Sequence, residues 1–257
     1  MVTAATGVTR VEQIMGMPIV VDARDVDDPS ALEPLFDWFR LVDERFSTYR
    51  PESEISRLNR GELSPAEAHA DVREVLVRCE ELRSETNGFF DARARSADEL
   101  DPSGLVKGWS VDRAARIAEG LGWRNFAINA GGDIRLRGGA LPARVWRVGI
   151  QHPSERHEIA AVVSGDDLAV ATSGAYARGD HVVDPHTRRP PQGVLSVTVT
   201  GPDLGTADAY ATAAFAMGTA GPRWTARLRG YEALTILADK TVMSTGDFPR
   251  ADGDSDL

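Results

Sequence analysis

Between Pro29 and Phe46, apolar residues return every three or four positions, at Leu32, Leu35, Phe36, Phe39 and Phe46. That period sets them on one face of a helix. Ser30 and Glu33 have the spacing of a capping box at its start. The pattern recurs from Ser64 to Gly88 through Ala68, Val72, Val75, Leu76, Cys79 and Leu82. Here Ser64 and Glu67 form the capping-box pair, Pro65 takes the first helical position and Asn87-Gly88 is the stop. A third helix is predicted from about Lys107 to Leu121, ended by Gly122. Residues 11–23 read as an extended opening or a hairpin arm, and "STYRPESEISRLNRGE" as a polar loop or short helix.

Beyond Gly122 the texture changes. "FAINAGGDIRLRG", "VWRVGIQ", "IAAVVSG", "LAVATSG", "HVVDP" and "LSVTVTG" are short β-rich runs broken by Gly, Pro and Asp. A helix of small residues, "TADAYATAAFAMG", follows, then "GPRWTARLRG" and a strand, "YEALTILAD". Helices early and strands late predict an α+β fold, helices packed on a largely antiparallel sheet. No repeat and no linker divides the chain, so residues 1–257 are expected to form one domain, with a disordered tail at 250–257.

Composition narrows the function classes. A hydrophobic content of 42% in 257 residues supplies a sizeable core. The net charge of −10 argues against nucleic acid or an anionic membrane as the main partner. A single cysteine, Cys79, allows no disulfide within the chain and falls on the apolar face of its helix. No apolar run has membrane-spanning length, and "MVTAATGVTR" lacks a signal-like apolar stretch, so a cytoplasmic protein is expected.

The common nucleotide and nucleophile signatures are missing: no Rossmann glycine fingerprint, no Walker A order, no nucleophile elbow and no Cys/His cluster for zinc. Ser173, His181 and Asp184 have the residue types of a triad, with no spacing that fixes such a geometry. Four clusters remain, each with two readings. "FSTYRPESEISRLN" is a polar loop or part of a site. In "LDPSGLVKGWSVDRAA", Asp101 caps a helix, or the helix start with Lys107 and Gly108 receives phosphate. In "NAGGDI", Asn129, Gly131, Gly132 and Asp133 make an ordinary hairpin turn or one that lets a ligand approach closely. Asp208 and Thr212 lie four apart, on one helix face. They are two oxygen ligands for a hard cation, or a dipole partner and a hydroxyl bonded one turn back. Together these parts suit phosphoryl or nucleotidyl transfer, with the histidine of the "HVVDP" loop as a base.

In order along the chain, "MGM", "FSTYRPESEISRLN", "GFFD", "LDPSGLVKGWSVDRAA", "NAGGDI", "VATSG", "HVVDP" and "TADAYATAAFAMG" resemble the FAD:protein FMN transferase family (ApbE type), from about Met15 to Gly218. The resemblance implies an α+β fold with FAD bound between the helical part and the sheet. It implies Mg²⁺-dependent transfer of FMN from FAD to a Thr or Ser hydroxyl of a target flavoprotein, with release of AMP. On that likeness Asp208 and Thr212 match the metal pair, with the Gly104 carbonyl a third ligand, and His181 matches the base that takes the hydroxyl proton. Met15, Tyr49, Phe90, Asp91, Asp101 and Lys107 match flavin- or nucleotide-contacting positions. Asn129, Gly131, Gly132 and Asp133, with Ser173 and Gly174, match the surrounding site, and Asp184-Pro185 would fix the turn behind His181, with His186 at the surface.

Two departures bear on this. Nine residues separate Asp91 from Asp101, where the family pattern is much longer, and Pro102-Ser103 stand where it commonly reads Leu-Gly. Both fall where the nucleotide would be covered. Two alternatives therefore stay open: an FAD pyrophosphatase giving FMN and AMP, and a non-catalytic FAD-binding protein.

Overall fold

The computed structural model describes residues 7–155, 157–174 and 182–251. The chain opens with β1 (Val8–Ile14) and β2 (Met17–Ala23), paired antiparallel from Val8 opposite Ala23 to Ile14 opposite Met17. Met15 and Gly16 join them at φ 54° and 70°, the two positive values of a type I′ turn whose twist matches the strands. The hairpin reading of this stretch holds.

The helices form where the apolar period placed them, but their starts differ. Helix α1 (Glu33–Phe46) buries Leu35, Phe36, Phe39, Val42 and Phe46. Its expected Ser30–Glu33 box does not form. Asp28 caps the preceding 3-10 turn by accepting from the Ser30 N–H at 2.9 Å, while the Glu33 carboxylate turns to Arg10 and Arg40. A charge-assisted bond to arginine outcompetes a neutral backbone donor. After the short α2 (Glu54–Asn59), α3 (Ala70–Glu85) starts five residues past Pro65. Ser64 and Glu67 do pair, at 2.6 Å, yet they close a separate turn, and His69 caps the helix through Asp71 N–H. The Asn87-Gly88 stop holds: both residues have positive φ, and Gly88 N–H donates to the Arg83 carbonyl at 2.7 Å. Helix α4 (Ser103–Gly120) begins one turn before the expected start, because Asp101 Oδ1 accepts from Ser103 N–H at 3.0 Å.

The rest of the chain is β3 (Phe126–Ala130), β4 (Asp133–Arg137), β5 (Trp146–Gln151), β6 (Ile159–Gly165), β7 (Asp167–Gly174), β8 (Val194–Gly201), α5 (Leu204–Ala216), α6 (Gly221–Thr225), β9 (Glu232–Leu237) and β10 (Val242–Ser244). Eight strands make one antiparallel sheet in the order β1-β2-β3-β4-β7-β8-β9-β10, and β5–β6 form a separate hairpin. The expected strand at "HVVDP" is absent from its described part: Val182 and Val183 are irregular and Asp184 makes only an isolated bridge to Arg189. The Pro after Asp184 removes a ladder donor there.

Alternation along the strands splits the core. Ala169, Ala171 and Ala233 pack in the cluster that holds Phe36, Val111, Leu204 and Ala211 of the helices. Val170 and Leu234 point the other way, into a cluster with Ile150 and Val163 of the β5–β6 hairpin. The α+β prediction is correct. Arg250 and Ala251, assigned by sequence to the tail, are bonded beside β6: Ala251 is buried and its N–H donates to Val162 O at 2.8 Å. Residues 252–257, the remainder of that tail, lie outside the described residues. Among the described residues no helix is long and apolar enough to cross a membrane.

Candidate functional site

Two helices meet backbone to backbone to build the site. A Cβ on Gly108 of α4 would collide with the Leu204 carbonyl and stand 2.9 Å from Gly205 Cα, and one on Gly205 would stand 3.2 Å from Trp109 N. Glycine at 108 is required for this approach, and glycine at 205 relieves a tight contact. Asp112, one turn along α4, accepts from Leu204 N–H at 3.0 Å and Gly205 N–H at 2.8 Å, and Asp203 accepts from Thr206 N–H at 2.8 Å. The first turn of α5 is thus capped and locked to α4.

That contact carries Asp208 and Thr212 of α5 to Gly104 and Lys107 of α4. Lys107 Nζ lies 3.5 Å from Asp208 Oδ1 and 2.5 Å from Asp133 Oδ2. Asp133 starts β4 and also accepts from Thr172 N–H of β7 at 3.1 Å. Ser173 Oγ, on β7, is 3.2 Å from Thr212 Oγ1. Gly104 faces the same place: a Cβ on it would meet the Phe90 ring at 3.2 Å and Thr212 Cγ2 at 3.9 Å. Asp208 is 3% exposed, and among the described residues its Oδ2 has no hydrogen-bond partner. Burial pushes its carboxyl up to about 8; Lys107 and a Gly108 backbone hydrogen bond oppose the rise, and Asp133 adds to it.

Of the residues singled out by sequence, Phe90, Gly104, Lys107, Asp133, Ser173, Asp208 and Thr212 come together here. Asn129 Oδ1 accepts from Gly132 N–H at 2.8 Å, and Gly131 at φ 58° packs on Met17. This is a hairpin turn that aims Asp133 at Lys107. Gly174 ends β7 beside Ser173, and Met15 packs from the first turn against both helical clusters. Tyr49 is 93% exposed and stands outside the group. Asp101 Oδ1 accepts from the N–H of Ser103, the first residue of α4, at 3.0 Å. Asp91 pairs with Arg83 at 3.4 Å and lines a cavity of about 290 Å³ with Leu58, Leu76 and Cys79. A larger groove of about 640 Å³, between α3, α4 and the start of α5, touches none of the candidate residues. His181 lies outside the described residues.

Two contributors escaped the sequence reading. Asp112 was visible only as a polar residue one turn beyond Gly108. Asn59 clamps the short 92–100 interval: its amide donates to Leu100 O at 3.0 Å and accepts from Leu100 N–H at 2.8 Å. Asp101 N–H closes the same loop onto Ala92 O at 2.7 Å.

A buried carboxylate oxygen without a partner, a hydroxyl one turn along and a glycine backbone beside them are a donor set for a hard cation. Among the described residues no three His, Cys, Asp or Glu side chains gather around a metal position, so a cation here would draw on hydroxyl and carbonyl oxygens as well as Asp208. The model of the ApbE family matches residues 15–99 and 92–235. The chain is 33% identical over 171 residues to a FAD:protein FMN transferase of Vibrio cholerae, a match covering 62% of this chain and 50% of that protein. It is 26% identical over 240 residues to one of Haemophilus influenzae, covering 69% of each. The chain thus spans about half the length of the Vibrio relative. Among solved structures, the flavin transferase ApbE of Vibrio cholerae superposes with a TM-score of 0.84 at 24% identity, over 95% of this chain and 98% of that one.

Proposed function

The chain belongs to the ApbE family, and from that premise we propose that it transfers FMN from FAD to a Thr or Ser hydroxyl of a target flavoprotein and releases AMP. The observation that carries this reading is the buried Oδ2 of Asp208, without a partner among the described residues, one helical turn from Thr212, which Gly104 adjoins. In this reading Asp208, Thr212 and the Gly104 carbonyl hold Mg²⁺. That ion, when bound, supplies positive charge where the pyrophosphate oxygens gain negative charge.

The chain's own residues have distinct tasks in it. Lys107 brings a cation to the same place and, with Asp133 fixed by Thr172, keeps the Asp208 carboxylate oriented. Ser173 holds the Thr212 hydroxyl. His181, by resemblance, takes the proton of the acceptor hydroxyl, whose oxygen bonds to the FMN phosphorus as the phosphorus–oxygen bond to AMP breaks. A neutral imidazole near pH 7 suits that proton transfer.

Incubation of the protein with FAD and Mg²⁺, with and without EDTA and a candidate acceptor, tests the proposal, with AMP, FMN and protein-bound flavin followed by chromatography. Metal-dependent AMP, flavin retained on denatured acceptor, and loss of both in Asp208→Ala and His181→Ala support it. Two other readings stay open: a pyrophosphatase, in which water replaces the acceptor hydroxyl, and a flavin-binding protein without turnover, which the short 92–100 loop supports. AMP and free FMN at the same rate without acceptor would select that pyrophosphatase, and FAD bound but never cleaved would leave a flavin-binding protein.

A further inference from the structure

The turn that ends α3 and the turn that follows Val182 meet through one side chain. The His186 ring stands edge-on to Phe89, centroids 4.6 Å apart. Its Nε2 lies 3.1 Å from the Asn87 carbonyl oxygen. A carbonyl only accepts, so this contact selects the tautomer with its proton on Nε2.

Both sides of the contact are braced. Asn87 and Gly88 occupy the left-handed region at φ 53° and 81°, and Phe90 N–H donates to Thr86 Oγ1 at 2.9 Å. On the other side Asp184 holds the turn that presents His186. Its carboxylate accepts from His186 N–H and from Thr187 Oγ1, each at 2.9 Å, and its carbonyl accepts from Arg188 N–H at 2.7 Å. Gly88 leaves room for the imidazole: a Cβ there would stand 3.2 Å from His186 Cε1.

The contact leads into the candidate site. Phe90, two residues past Gly88, is buried with its ring against Gly104. Val182 packs against the main core. His181 directly precedes it in the sequence.

We propose that His186 is a positioning residue for flavin transfer, pinning the Val182–Arg189 turn to the Asn87–Phe90 turn and so fixing the Phe90 wall against Gly104. The inference rests on the transferase reading and adds to it a residue outside the group formed by Lys107, Asp133, Ser173, Asp208 and Thr212. Its force is geometric. One edge-on ring contact and one exposed hydrogen bond contribute little to folding, whereas a shift of about 1 Å in a reacting centre costs on the order of a hundredfold in rate.

The test compares the unaltered protein with His186→Ala, His186→Gln and Gly88→Ala. It reads kcat and KM for AMP release from FAD with Mg²⁺, FAD affinity by flavin fluorescence, and thermal unfolding. The expected result is a fall in kcat of about tenfold or more in His186→Ala, with KM and FAD affinity within about twofold. His186→Gln, whose amide N–H reaches toward the same carbonyl, recovers part of kcat, and Gly88→Ala repeats the loss from the opposite side. An unchanged kcat in His186→Ala overturns the proposal. Parallel losses of kcat and FAD affinity, or no recovery with Gln, overturn it as well, because they mark a general disturbance. No AMP release by the unaltered protein strikes the transferase reading itself and removes the positioning role with it.

Discussion

Gly108 of α4 and Gly205 of α5 lie against each other so closely that a Cβ on Gly108 would stand 2.9 Å from Gly205 Cα. The candidate site depends on this contact, because Lys107 is the neighbour of Gly108 and Asp208 lies one turn beyond Gly205 on α5. Gly108→Ala is expected to push the helices apart at a cost of about 3 kcal/mol, the upper range for overpacking a filled interior. Denaturant unfolding reads the cost. Gly120→Ala, with nothing near its Cβ position, is the control and should be neutral or slightly stabilising.

Lys107 stands beside two buried acids at once, 2.5 Å from Asp133 and 3.5 Å from Asp208. Lys107→Met removes the cation that both buried acids approach. The expected loss is about 3–5 kcal/mol, the range for breaking a buried ion pair from one side. The double change Lys107→Met with Asp208→Asn should recover much of it, and a double-mutant cycle measures that coupling.

Asp208 makes the metal-free protein pH-sensitive. Burial holds its carboxyl in the folded protein well above the ordinary carboxylate value of 3.8, at about 8. A raised folded pKa means that the neutral form suits the fold: its contribution is fully present below the unfolded value and is lost as pH rises through about 8. In EDTA, the melting temperature of Asp208→Asn should gain on that of the unaltered protein as pH rises through this window. On the proposed function, Mg²⁺ narrows the gap for the unaltered protein alone. A gap that is flat with pH would contradict the assignment.

Cys79 should be inert in the folded protein. Burial pushes its thiol up to about 12, so little thiolate exists at pH 8. Alkylation with iodoacetamide at pH 8 is expected to be negligible until denaturant is added, then to reach one label per chain. The raised thiol pKa favours the fold up to the ordinary value of 9.0, and this contribution is lost at higher pH.

Much of this protein was legible in its order of residues. The 3.6-residue period of Leu35, Phe36, Phe39 and Phe46 specified α1, because one apolar stripe can be buried only on one side of a helix. Asn87-Gly88 specified the end of α3, because the left-handed region there suits those residues. Asp208 and Thr212 were visible as a pair because one helical turn separates them.

Helix starts were decided elsewhere. Glu33 had partners from β1 and from along its own helix, Arg10 and Arg40, and Asp101 capped α4 one turn before its apolar pattern suggested. The site itself is a tertiary product. Nothing local joins residue 107 to residues 133 and 208, or residue 59 to residue 100. They meet because two glycines let α4 and α5 touch, and because β4 and β7 pair so that Asp133 comes beneath Lys107. Sequence supplied the candidate groups; long-range packing, which no local pattern encodes, decided which of them come together.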